Sequence, residues 1–165
     1  MIATDRHAMD NVKAMFKRYL EFAGLELLPT MGAAGEGNPY RIAKTSAFRE
    51  RHRDVWGGAM NHNWLRISRI LKCFGMLGLV HEQQAFFNAL QSLWGCGEIA
   101  PSARRSYEFW TDSAGRPGGG LDGSTRTVPP HPAEEEQRQR NQRSDGDVGS
   151  STARNGLMAK LCCHL

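Results

Sequence analysis

The amino-acid sequence predicts an all-α fold: a small bundle of about four to five helices built on a central antiparallel helix hairpin, followed by a disordered C-terminal tail. Two observations lead there. Across residues 1–114, apolar residues recur at three- and four-residue spacing in stretches that stop at glycines, which is the pattern of amphipathic helices. From Gly115 onward the composition turns to Gly, Pro, Ser, Arg and Gln. Such a stretch buries too little apolar area to offset about 1 to 2 kcal/mol of backbone entropy per residue. The organisation expected is therefore a helical domain over 1–114 and a low-complexity tail over 115–165, with Glu134 to Arg143 transiently helical.

The first helix runs from Asp5 to Ala23. Ala8, Met9, Val12, Met15, Phe16, Tyr19, Leu20 and Ala23 form its apolar stripe, Thr4 or Asp5 caps it, and Gly24 ends it. Leu25 to Lys44 contains Pro29, Gly32, Gly35, Gly37 and Pro39 and has no sustained period, so it reads as a loop pinned by Leu25, Leu27 and Leu28, with room for a short strand. A short helix over Ala47 to Trp56 follows, with Phe48, His52, Val55 and Trp56 on one face and Gly57-Gly58 as its stop. Asn63 is the expected cap of the next helix. There Trp64, Ile67, Ile70, Leu71, Phe74 and Leu77 share an arc opposite Arg66, Arg69 and Lys72, and Gly78 closes it. After a short turn, Glu82 to Trp94 repeats the pattern with Phe86, Phe87, Leu90 and Leu93, and so makes the second arm of the hairpin. Pro101-Ser102 opens a last helix that offers Tyr107, Phe109 and Trp110 to the core and fades by Ala114.

A net charge of +4 on 165 residues is mildly basic, far from the dense cationic stripe of a dedicated nucleic-acid binder. Cys73, Cys96, Cys162 and Cys163 show no C-x-x-C spacing and read as reduced thiols. No run reaches the roughly 18 apolar residues of a membrane span, and Asp5, Arg6 and His7 stand where a signal peptide would carry apolar residues. The location expected is intracellular, nuclear or cytoplasmic.

Chemistry-bearing residues are sparse. His52, His62, His81 and Cys73 lack zinc-ligand spacing, so no metal is expected, and His62 is read as bonding backbone at a helix start. No Ser or Cys sits with a His and a carboxylate in the tight turn that activates a nucleophile, so the chain is not read as an enzyme. The Gly118-Gly119-Gly120 run lacks the strand and the Lys of a phosphate loop; no cofactor is expected. Arg66, Arg69 and Lys72, extended by Lys17 and Arg18, make a basic helix face for phosphate or an acidic partner, weighed against a plain solvated face. Cys162 occupies the acceptor position of a terminal prenylation box ending in Leu165, although His164 fits its aliphatic position poorly. Modification there would bring peripheral membrane association.

One phrase is far more specific. Asn61-His62-Asn63-Trp64-Leu65-Arg66-Ile67-Ser68-Arg69-Ile70-Leu71-Lys72, continuing to Leu77-Gly78-Leu79, resembles the opioid growth factor receptor conserved region, in which an N-H-N-x-L-R-I-x-R-I-L-K phrase leads into a leucine-glycine turn. Phe22-Ala23-Gly24-Leu25 and the stretches Phe48 to Trp56, Ala85 to Leu90 and Ser106 to Trp110 fall in the family's order, so the likeness covers about residues 9–114. Asn61, His62, Asn63, Leu65, Ile67, Ile70 and Leu71 are taken as the structural part of the motif. The family carries a tryptophan- and proline-bearing segment ahead of the first helix, which this sequence starts too late to contain; a domain truncated at its N-terminus is expected. The resemblance implies a non-enzymatic, receptor-like protein that binds a peptide ligand or another protein and acts in growth regulation. A nucleic-acid or chromatin interaction module using the basic helix face is the alternative.

Overall fold

The Asp5 carboxylate accepts hydrogen bonds from the His7 and Ala8 backbone N–H groups at 2.9 and 3.3 Å, satisfying first-turn donors that have no partner inside a helix. Helix α1 (Arg6–Ala23) starts there and buries Phe16, Leu20 and Ala23. The computed structural model describes residues 5–30, 37–58, 61–115 and 128–146. Gly24 ends α1 with φ +77°, as the sequence predicts. A Cβ at Gly24 would also lie 2.6 Å from the Phe48 Cα. Replacing Gly24 with alanine is expected to lower stability by about 1 to 3 kcal/mol, seen as an earlier midpoint in urea unfolding.

The stretch after Gly24, read as a loop with room for a short strand, forms a two-stranded antiparallel sheet. Strand β1 (Leu25–Pro29) pairs with β2 (Tyr40–Lys44) in the register Leu25↔Lys44, Leu27↔Ile42, Pro29↔Tyr40. An isolated pair of strands is marginal in water. Here burial of Leu25, Ile42 and Ala43 in the core holds it, a tertiary effect that five-residue strands flanked by Pro and Gly do not announce.

Helix α2 (Phe48–Arg51) runs on into a wider π-helical turn, His52–Trp56. Helix α3 (Asn63–Leu77) and helix α4 (Val80–Gly95) form the hairpin through Gly78, at φ +72°, and Leu79. A single 3-10 turn, Pro101–Ala103, leads into α5 (Arg104–Ala114). The described residues are thus mostly helical.

Ile67, Leu71, Phe74, Phe86 and Leu90 are buried as expected. Phe16 inserts edge-on between Phe74 (4.7 Å) and Phe86 (5.3 Å), joining α1 to both arms of the hairpin. Buried Gln83 donates from Nε2 to the carbonyls of Leu71 and Ser113, 2.9 Å each, and so ties α4 to α3 and α5. Three tryptophans form a relay in which each indole N–H donates to a backbone carbonyl: Trp56 to Ala23 (3.0 Å), Trp64 to Trp56 (2.8 Å) and Trp110 to Trp64 (3.0 Å).

Three placements differ from expectation. Ile70 is half-buried, at the edge of the α3 core face. Phe109 is 52% exposed, because Tyr107, Trp110 and Thr111 already fill the inner face of α5. Asn63 is the first residue of α3 and not its cap. The Asn61 side-chain oxygen accepts the Asn63 N–H at 2.8 Å, while buried Asn63 turns inward to donate to the Val55 carbonyl at 2.8 Å.

The tail also departs from composition. Helix α6 (Pro132–Gly146) covers the Glu134 to Arg143 stretch expected to be transiently helical within a disordered tail, and its start is anchored on the body. Buried His131 packs edge-on against Trp94 at 4.7 Å. Its Nε2 lies 2.8 Å from the Ile99 carbonyl and its Nδ1 accepts the Ala133 N–H at 3.2 Å, which together fix the neutral tautomer with the proton on Nε2. Glu134 accepts from the His131 N–H at 3.3 Å and pairs with Arg104, completing a reciprocal cap. Trp94 Nε1 donates to the Pro129 carbonyl at 3.2 Å. One turn of specific partners outweighs a polar average that a whole-tail reading cannot resolve.

Candidate functional site

The apolar stripe of α1 is wider than the face that packs. Phe16, Leu20 and Ala23 are buried, whereas Met15 is 70% exposed and Val12 and Tyr19 are only partly covered. Across from them, α3 presents Ile70, Cys73 and Phe74, with Arg66 and Arg69 toward its N-terminal end. The result is a groove of about 360 Å³ between α1 and α3, lined by Val12, Met15, Phe16, Tyr19, Arg66, Arg69, Ile70, Cys73 and Phe74. That volume lies at the lower end of the range for small-ligand sites.

The predicted basic face divides at this groove. Arg66 and Arg69 line it and Lys72 does not; at about 100° per residue Lys72 sits roughly 120° around the helix from Arg66. Lys17 and Arg18 also stand outside the groove. Arg66 Nη1 donates to the Asn63 side-chain oxygen at 2.9 Å. Among the described residues, no carboxylate lies within ion-pair distance of Arg66 or Arg69. Burial pushes the Tyr19 hydroxyl well above the usual phenol range, with the nearby Arg66 charge pulling the other way, so it stays a neutral donor.

The Asn61 to Leu71 motif separates into scaffold and surface. Asn61 and Asn63 both donate to the Val55 carbonyl, at 2.7 and 2.8 Å, clamping the turn before α3. Ile67 and Leu71 are core. Leu65 is 57% exposed, and His62 is exposed and makes no capping bond, contrary to its expected role. Motif and groove overlap at Arg66, Arg69 and Ile70, and the Asn63 amide that fixes the turn also holds Arg66. Sequence reasoning missed Val12, Met15, Tyr19 and Cys73 as site residues. Their signal was an apolar stripe too broad for one buried face.

Other constellations do not converge. His52 is held between Phe48 (stacked, 5.2 Å) and Trp56 (edge-on, 4.7 Å), and burial lowers its proton affinity. Among the described residues, no three of His, Cys, Asp and Glu come together as a metal site. No described helix is long and apolar enough to cross a membrane. Cys162 lies outside the described residues.

Residues 2–93, more than half of the chain, match the family described as the opioid growth factor receptor (OGFr) conserved region. No curated protein and no solved structure matches.

Proposed function

Because the chain belongs to the opioid growth factor receptor conserved-region family, we propose that it is a non-enzymatic, receptor-like binding domain that takes a short peptide segment in the groove between α1 and α3. The observation that supports this reading is the solvent-open apolar groove itself, a concave strip beside the family's own motif. Aliphatic and aromatic walls with few polar groups suit side-chain burial. A role in growth regulation and an intracellular, nuclear or cytoplasmic location belong to the same proposal. Microscopy of the tagged chain beside its Cys162→Ser variant tests the location and any peripheral membrane association.

The decisive experiment is hydrogen exchange on the whole chain with an opioid pentapeptide and, separately, with duplex DNA. Protection gained over residues 12–19 and 66–74 with peptide alone is the expected result. Protection gained only with DNA, lost steeply as salt rises through counterion release, would replace this reading with the nucleic-acid module built on Arg66, Arg69 and Lys72.

A further inference from the structure

We infer that the occupant of the α1–α3 groove is an acidic amphipathic helix of a partner protein, its apolar stripe on the groove floor and its carboxylates on Arg66 and Arg69. This inference rests on the proposal that the groove binds a peptide. It adds the chemistry and shape of the ligand.

Shape comes from length. The lining residues run from Val12 to Tyr19 on one wall and from Arg66 to Phe74 on the other. At 1.5 Å per residue those walls are roughly 10 to 12 Å long, two turns of helix. A helix laid there contributes apolar side chains at i, i+3 or i+4, and i+7, the spacing used when a helix docks in a groove. Exposed Met15 offers the adaptable contact of an unbranched thioether.

Chemistry comes from charge. The groove surface is almost wholly apolar and holds no carboxylate, so Arg66 and Arg69 give it mainly their aliphatic stems and, as exposed residues, leave their guanidiniums for the margin. Their positive charge has no carboxylate partner among the described residues. Arg66 is also held in place, because one of its N–H groups is bonded to Asn63, whose amide is itself bonded to the Val55 carbonyl. A cation fixed before binding loses less freedom when a ligand carboxylate arrives. Arg66 and Arg69 stand three residues apart on one face, about 4.5 Å along the axis, matching two acidic side chains on neighbouring turns of a partner helix.

The test uses the full chain and three synthetic amphipathic peptides, each about four helical turns long. They share one apolar stripe, with polar positions filled by Glu, Gln or Lys, and binding is read by fluorescence anisotropy. The Glu peptide is expected to bind about five- to thirty-fold tighter than the Gln peptide, and the Lys peptide weakest, with the spread shrinking as salt rises. In the Arg66→Glu/Arg69→Glu variant, its fold checked by circular dichroism, the order should reverse; Arg69→Glu alone, which loses no described hydrogen bond, should narrow it. If the Glu preference survives charge reversal, or all three peptides bind alike, the acidic ligand is overturned. In the second case, uniform weakening by Met15→Ser leaves the peptide groove standing. If none binds while the pentapeptide still protects residues 12–19 and 66–74, the acidic helix alone falls; if the pentapeptide fails too, both readings fall.

Discussion

Replacing Trp110 with alanine is expected to remove about 3 to 5 kcal/mol of stability, the usual range for deleting a fully buried aromatic side chain. Trp110 has no exposed surface and stands edge-on to Tyr107 at 5.9 Å. The loss also strips the Trp64 carbonyl of the indole donor 3.0 Å away, while that carbonyl keeps the Ser68 hydroxyl at 3.3 Å, so the hydrogen-bond part of the loss is about 0.5 to 1.5 kcal/mol. A domain of this size commonly holds about 5 to 15 kcal/mol in total. The variant should therefore be largely unfolded well below the parent's melting temperature. Urea unfolding followed by far-ultraviolet circular dichroism measures this without using the altered chromophore as probe. Trp110→Phe should cost less, because it keeps one aromatic ring in the site and loses the donor together with part of the indole volume.

Leu71→Ala is the second large effect, with an expected loss of about 2 to 5 kcal/mol in chemical denaturation. Leu71 is fully buried at the centre of α3, and the α4 and α5 backbones beside it are held by Gln83 bonds that the substitution leaves intact. The surroundings can collapse only partly into the space, which pushes the cost upward. Its neighbour Ile70 supplies the contrast. Half-buried on the groove wall, it should cost less stability than Leu71 when truncated. A loss below about 1 kcal/mol at Leu71 would mean that α3 does not pack by this face.

Much of this architecture was legible in the residues themselves. Asp5, Gly24 and Gly78 mark helix ends by local chemistry, and the α3 and α4 stripes set their inward faces, because capping and periodicity need only near neighbours. What escaped depends on partners distant in sequence. The β1–β2 pair is held by burial of Leu25 and Ile42, and the start of α6 by Trp94, Ile99 and Arg104. Asn63 and Asn61 exchanged roles because the preceding turn offered the Val55 carbonyl, which no spacing rule foresees. Of the site, Arg66 and Arg69 were singled out in advance. The α1 wall was read as core, since an amphipathic stripe reveals what can be buried and not what the neighbours leave uncovered.

The tryptophan relay separates the part of the chain that can be recognised from the part that can stand alone. The match to the family runs to residue 93, inside α4, short of the limit near residue 114 expected from the motifs. The donor to the Trp64 carbonyl arrives from Trp110, and the Ser113 carbonyl that accepts from Gln83 lies further on. A piece cut at residue 93 would lose buried Tyr107 and Trp110 and open to water the face of α3 that α5 covers. In choosing which length of this protein to express or graft, the last α5 residue that closes over α3 is therefore a better guide than the last residue that matches.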